Sequence, residues 1–174
     1  MSEDVPTPRS GDGTTAASAE ARLRARHPEP GCYSCEHETV TDPPPRDAVV
    51  VTAYWRVAHA FNSSLPGWLV IVPRRHVTAL DELEDGELVE LGLLQGRVSA
   101  ALRSVLGCTK TYSALFAEAE GFAHLHVHLV PRMPDQPVER RGPAVFGYLA
   151  GDDCVSEDEM DRIGREVGAR VALP

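Results

Sequence analysis

The sequence has no apolar run close to the ~20 residues that a membrane-spanning helix needs, and its first residues lack a basic segment followed by an apolar one. We therefore expect a cytoplasmic protein with no membrane segment. Cysteine is scarce: four in 174 residues are too few for a disulfide scaffold. Acidic residues outnumber basic ones, with 26 Asp and Glu against 17 Lys and Arg. The resulting net charge of -9 argues against a nucleic acid polymer as partner.

The remaining composition is that of one globular domain preceded by a tail. Residues 1–30 are rich in small and polar side chains and have almost no large apolar ones, so we expect them to be disordered. Residues 31–174 are expected to form a single domain. The proline-rich residues 41–47 predict a stiff extended connector within it.

Hydrophobic patterning predicts strands, a central helix, further strands and a C-terminal helix. Three closely spaced β-rich segments favour an antiparallel meander. Apolar residues spaced by three and four predict the central helix, which ends before Gly107. A capping-box pair, Ser156 and Glu159, predicts the C-terminal helix. The predicted strands are residues 48–54, 55–61, 67–74, 110–116 and 123–130, and the central helix is residues 81–106.

The densest chemical pattern is the alternating run His124-Leu125-His126-Val127-His128. Because successive side chains of a strand point to opposite faces, the three imidazoles share one face and the apolar side chains share the other. Two functional interpretations follow from the residues. The histidines bind a metal together, or they divide the work between a metal, a nucleophile and a proton carrier.

A second pattern is the pair Cys32 and Cys35, whose spacing lets both thiolates reach one tetrahedral ion. The alternative is a redox pair or two idle thiols. A redox motif of this spacing normally opens a helix after a strand, whereas Gly31 and the residues between the cysteines are typical of a turn. Cys108 and Cys154 have no such partner and are expected to be incidental thiols.

Two motifs resemble those of the histidine triad superfamily of nucleotide hydrolases and transferases. Residues 121–132, GFAHLHVHLVPR, are similar to its signature strand, and residues 66–77, PGWLVIVPRRHV, to an earlier strand that ends in Pro-basic-x-His-Val. The predicted central helix lies between them, as in the family. The resemblance covers residues 32–132. It implies an α+β fold in which an antiparallel sheet of about five strands is flanked by the central helix and a C-terminal helix, in a homodimer.

The resemblance also implies catalytic roles. His126 would attack the α-phosphorus of a nucleotide and form a nucleotidyl-histidine that water or an acceptor resolves. Histidine suits this role because its neutral form is populated near pH 7. His128 would donate a hydrogen bond or a proton to a phosphate or leaving oxygen. Arg132, Arg140 and Arg141 are candidates to neutralise other phosphate oxygens.

Zinc-containing members of the superfamily, including the galactose-1-phosphate uridylyltransferase branch, complete a metal site with two histidines. These are the histidine that ends the earlier strand and the first triad histidine. The resemblance therefore implies a Cys₂His₂ site of Cys32, Cys35, His76 and His124, with His37 as an alternative to His76. A closed site of this kind is structural, and it would pin the cysteine segment, residues 32–35, to the sheet.

The sequence departs from the family pattern at three places. Many members have Gly-Gln-Ser or Gly-Gln-Thr before the triad, whose hydroxyl assists the leaving group, but this chain has EGFA at residues 120–123. The usual ribose-binding Asp or Asn falls at Ala60, so Asn62 or Ser63 would have to bind the substrate instead. Trp68 stands where many relatives have His, either as a core residue or in the base pocket.

The sequence thus predicts an enzyme with structural zinc, a nucleotidyl hydrolase or transferase that acts on a phosphoanhydride or phosphoramidate of a nucleotide or nucleotide conjugate. One alternative is a zinc-stabilised nucleotide-binding protein with little or no turnover, which the missing hydroxyl favours. Glu118 or Glu120 is a weak substitute for that hydroxyl. Another alternative makes His124, His126 and His128 a joint catalytic metal site.

Overall fold

The computed structural model describes residues 29–118, 123–149, 151 and 153–171. The predicted tail, apart from its last two residues, lies outside them. Within these ranges no helix combines the length and the apolar character needed to cross a membrane. The helices and strands, in chain order, are α1 (Tyr33–His37), β1 (Val50–Val51), β2 (Trp55–His59), β3 (Leu69–Pro73), α2 (Asp85–Leu106), β4 (Lys110–Phe116), β5 (His126–Arg132) and α3 (Glu157–Gly168).

The strands form one antiparallel sheet in the order β1-β2-β3-β5-β4. The predicted meander of the first three strands is confirmed, and so is the α+β fold with a five-stranded antiparallel sheet. After α2 crosses the sheet, β4 becomes the edge strand and β5 returns between β3 and β4. The strand that carries the histidines is therefore paired on both sides.

Several predicted boundaries differ from the observed ones, and a local hydrogen bond accounts for two of the differences. The first strand is only two residues long, because Thr52 turns the chain with a 2.9 Å bond from its N–H to the Trp55 carbonyl. The central helix begins at Asp85, because the Glu84 N–H donates to the Glu87 carboxylate at 2.8 Å and closes a capping box. Residues 123–125 precede β5, although the Leu125 N–H still donates to the Val77 carbonyl at 2.8 Å.

The hydrophobic core lies between one face of the sheet and the helices α2 and α3. Every second residue of β5 and of the segment before it points into this core: Leu125, Val127 and Leu129 are almost fully buried. The alternation predicted for this strand therefore holds, and the histidines project from the opposite face. Helix α3 follows the predicted N-cap, since the Ser156 hydroxyl accepts a hydrogen bond from the Glu159 N–H, whereas the Glu159 carboxylate accepts from Arg162 and does not complete the capping box.

Two buried polar contacts position the segments next to the histidines. Arg75 donates to both carboxylate oxygens of Glu87, each at 2.6 Å, and so ties the residue before His76 to the first turn of α2. His59 accepts a hydrogen bond from the Gly67 N–H at 3.0 Å, in the turn that leads to Trp68. Gly67 has a φ of 78°, which a side chain would strain.

Candidate active site and metal centre

The first histidine of the run, His124, faces the two cysteines. Its Nε2–H donates to the Pro73 carbonyl at 2.9 Å, and because a carbonyl oxygen can only accept, the lone pair of the ring lies on Nδ1. That atom is 3.3 Å from the Cys32 Sγ and 3.7 Å from the Cys35 Sγ. Burial lowers the pKa of His124 to about 4, so the ring is neutral, as a metal ligand must be.

Four side chains form a cluster that could bind a metal: Cys32, Cys35, His76 and His124. Their ligand atoms all lie within 4.8 Å of one another, and the His76 Nδ1 is 3.5 Å from the Cys35 Sγ. In a tetrahedral zinc site, bonds of about 2.3 Å to sulfur and 2.0–2.1 Å to nitrogen place these atoms about 3.6 Å apart. The donor set and its spacing therefore fit zinc, and the four are the ligands expected from the sequence.

The cysteines do not lie in a simple turn, contrary to the prediction. Cys32 is the N-cap of the short helix α1, and Cys35 lies within its first turn. The helical turn brings residues three apart to the same side, which is why both sulfurs reach one point. Burial raises the pKa of the Cys35 thiol to about 11, so metal binding has to displace its proton.

The second histidine, His126, is half-buried and has a defined tautomer. Its Nδ1 lies 2.8 Å from the carbonyl oxygen of His124, which can only accept, so Nδ1 carries the hydrogen. The Nε2 of the neutral ring then carries the lone pair. Because the ring lines a cavity, this arrangement can present an unprotonated nitrogen to a ligand there.

The third histidine, His128, has the opposite tautomer. The indole Nε1–H of Trp68, which is donor only, lies 2.9 Å from the His128 Nδ1, so this nitrogen accepts and Nε2 carries the hydrogen of the neutral ring. Burial, with a smaller contribution from His126, lowers the pKa of His128 to about 4. The ring is therefore a neutral hydrogen-bond donor at pH 7.

Trp68 was expected in the core or in the base pocket, and the sequence did not identify its contact with His128. It is fully buried, as expected of a core residue, but its indole also holds the ring of His128. The rings of Phe116 and Phe146 pack edge-on against His128 at centroid distances of 5.8 and 5.3 Å, which explains its loss of hydration. The sequence feature that could have indicated this contact is the position of Trp68 in the motif, where many relatives have His.

A cavity of about 500 Å³ lies over the histidine face of the sheet. It is bounded by α1, the face of β2 and β3, the end of β4 and the 3-10 helix Gly142–Tyr148. Its lining residues are Tyr33, Ser34, His37, Asp47, Arg56, Ala58, His59, Ala60, Phe61, Asn62, Val70, Val72, Phe116, Glu118, His126, His128, Phe146 and Leu149.

The structure brings only some of the predicted substrate-binding residues to this cavity. Asn62 lines it. His37, which was the alternative metal ligand, also lines the cavity and does not belong to the metal cluster. Ser63 does not line it, because its hydroxyl is buried and bonded to the Leu65 main chain. Arg132 lies at the far end of β5, where its guanidinium donates to the Thr109 hydroxyl at 2.9 Å.

The two other arginine candidates are also engaged away from the cavity. The Arg140 guanidinium lies over the Tyr148 ring, and Arg141 donates twice to the Gln136 carbonyl. Of the two substitutes considered for the missing hydroxyl, Glu118 lines the cavity, and Glu120 lies outside the described residues.

The sequence model of the HIT domain matches residues 44–135, more than half of the chain. The chain therefore belongs to the histidine triad family. The matched region contains His76 and the three histidines of the run, whereas Cys32 and Cys35 precede it. None of the curated proteins matches the chain in sequence.

Solved structures of similar fold include several histidine triad proteins. A zinc-bound family member from Mycobacterium smegmatis is 19% identical, with a TM-score of 0.58 over 79% of this chain and 93% of that one. A histidine triad protein from Bradyrhizobium japonicum is 21% identical, with a TM-score of 0.60 over 72% and 90%. The diadenosine triphosphate hydrolase of Plasmodium falciparum is 16% identical, with a TM-score of 0.54 over 71% and 75%.

The metal cluster predicts that Cys35→Ser abolishes stoichiometric zinc binding, because one of four ligands is lost from a closed site. The melting temperature should fall by at least about 5 °C, and a chelator should lower that of the wild type similarly. Metal analysis of the purified protein and thermal denaturation measure both effects. Cys154→Ser, at an exposed cysteine outside the cluster, is the control. Full zinc content in Cys35→Ser would contradict the assignment.

Proposed function

We propose that this protein is a nucleotidyl hydrolase or transferase that cleaves at the α-phosphate of a nucleotide conjugate through a covalent bond to His126. Membership of the histidine triad family supports a nucleotide-handling function. The observation that carries the finer proposal is the tautomer of His126: its Nδ1–H is held by the His124 carbonyl, which leaves the lone pair on the Nε2 of a ring that lines the cavity.

In the first step, the His126 Nε2 attacks the α-phosphorus as the bond from phosphorus to the leaving group breaks. The leaving group departs with the bonding electron pair. A phosphate leaving group needs no proton, and the amine of a phosphoramidate takes one from solvent. The positive charge that develops on the His126 ring is stabilised by the Nδ1–H bond to the His124 carbonyl. In the second step, water or an acceptor hydroxyl attacks phosphorus, the P–N bond breaks with its electron pair returning to the His126 Nε2, and the attacking group releases a proton to solvent.

His128 contributes a hydrogen bond in this proposal. Because its pKa is lowered to about 4, its ring is neutral and its Nε2–H donates to a phosphoryl oxygen that gains charge in each transition state. Trp68 is the positioning residue that fixes this donor. The zinc ion has no chemical step here, and its role is to hold α1 against the sheet beside His124.

The structure does not favour a joint metal site of the three histidines. Among the described residues, the cluster suited to a metal contains His124 with the cysteines and does not contain His126 or His128. A homodimer remains part of the proposal, supported by exposed apolar side chains of α2 at Leu88, Val89 and Leu93. A cytoplasmic location stays a prediction.

The nucleophile assignment predicts that His126→Asn lowers turnover of a dinucleoside polyphosphate, a nucleoside phosphoramidate or a nucleotide sugar by at least about 10³-fold. Wild-type protein quenched during turnover of an α-³²P-labelled substrate should carry an acid-labile label that the variant lacks. Unchanged zinc content in the variant is the control for folding. Full activity would overturn the assignment. Nucleotide binding without turnover by the wild type would support the binding-protein alternative.

The positioning role predicts that Trp68→Phe lowers kcat by roughly tenfold with little change in KM, because the lost hydrogen bond matters chiefly in the transition state. Trp55→Phe is a matched control, since it removes another buried indole N–H, the one that donates to the Glu87 carbonyl in the core. Trp68→His, which restores a ring N–H, should recover part of kcat. Equal kcat losses in Trp68→Phe and Trp55→Phe would contradict a specific role.

A further inference from the structure

The cavity has a second polar end, away from the catalytic histidines. Val70 pairs with His128 and Ile71 with Val127, so the next position of β3 places Val72 beside His126. Val72 pairs in turn with Arg56 of β2. Two strand spacings therefore separate the main chains of His126 and Arg56, about 10 Å in all. A nucleotide with its phosphate at His126 can span this distance with its base.

The floor between the two ends is apolar. It consists of Ala58, Val70 and Val72, which are on the same face of the sheet as His126. Tyr33 and Phe61 also line the cavity, with their ring centroids 5.4 Å apart. A sheet face with two aromatic rings suits a planar heterocycle.

The polar end is formed by Asp47 and His37. Asp47 lies where the connector enters the sheet, and its main chain is fixed on both sides: its N–H donates to the Pro44 carbonyl and its carbonyl accepts from Arg56, each at 2.9 Å. The His37 Nδ1 lies 3.9 Å from the Asp47 carboxylate, beyond hydrogen-bond distance. The Arg56 Nε donates to the Glu38 carboxylate at 2.7 Å, and among the described residues the ion pair of Arg56 is with Glu38 and not with the Asp47 carboxylate.

We propose that Asp47, with His37 beside it, selects a guanine base, an inference that rests on the proposed function because His126 locates the phosphate. A carboxylate offers two acceptors and no donor, and guanine presents two adjacent donors, N1–H and the N2 amino group. The guanine O6 next to them accepts from a His37 ring N–H. Adenine would instead direct the lone pair of its N1 towards a carboxylate oxygen, which is repulsive. The substrate class is then a guanosine phosphate conjugate.

Binding of free nucleotides tests this without requiring turnover. Calorimetric titration of the zinc-loaded protein should show GMP binding more tightly than AMP by roughly tenfold or more. IMP, which lacks the N2 amino group, should lie between them. Asp47→Asn replaces one acceptor by a donor and so matches the N6 amino group and N1 of adenine, and its preference should shift towards AMP. Asp42→Asn, the same change at an exposed residue that does not line the cavity, should keep the wild-type order.

The outcomes separate this inference from the proposed function. Equal affinities for GMP and AMP would overturn base selection and leave nucleotide processing standing. A uniform loss of affinity in Asp47→Asn, with unchanged preference, would make Asp47 structural and would also overturn the inference. If none of the three nucleotides binds, the proposed function fails and the inference fails with it. A reversed preference in Asp47→Asn, with normal zinc content, would support it.

Discussion

The central position of β5 in the sheet is the constraint on which the site depends. Because the strand is paired with β3 on one side and β4 on the other, its register cannot shift without sending Leu125, Val127 and Leu129 out of the core. The histidines are therefore fixed on the opposite face by the burial of their neighbours. The energy that holds the site in place comes largely from the hydrophobic core on the other side of the sheet.

Three equivalent side chains become chemically different because each has a different partner. The Pro73 carbonyl leaves the Nδ1 of His124 for the metal cluster, and the His124 carbonyl leaves the Nε2 of His126 as a lone pair. The Trp68 indole leaves the Nε2 of His128 as a donor. Two of these partners are main-chain carbonyl groups. Their positions are set by the fold and not by the identity of the side chains in the strand. Helix α1 adds a further link, since it carries a metal ligand and also lines the cavity.

Hydrophobic period predicted the strands and the central helix, and the spacing of Cys32 and Cys35 indicated a metal site. The resemblance to the histidine triad superfamily implied the five-stranded antiparallel sheet and the two histidines of the metal cluster. Neither predicted the helix at the cysteines, since five residues leave too little periodicity to read. Arg132 was a candidate because it follows the histidines in the chain, but at its distance along β5 it lies beyond the cavity. The proposed roles of Trp68 and Asp47 depend on contacts between segments distant in the chain, which adjacency in sequence does not reveal.

The proposed chemistry requires that His126 and His128, two residues apart on one strand, have opposite neutral tautomers. Long-range ¹H–¹⁵N correlation spectra of the histidine rings, assigned with His126→Asn and His128→Asn, report this directly. We predict a hydrogen on Nδ1 of His126 and on Nε2 of His128, and a His128 ring that stays neutral as the pH is lowered well below 6.5, because its pKa is lowered to about 4. The same tautomer in both rings, or a His128 ring that titrates near pH 6.5, would contradict it.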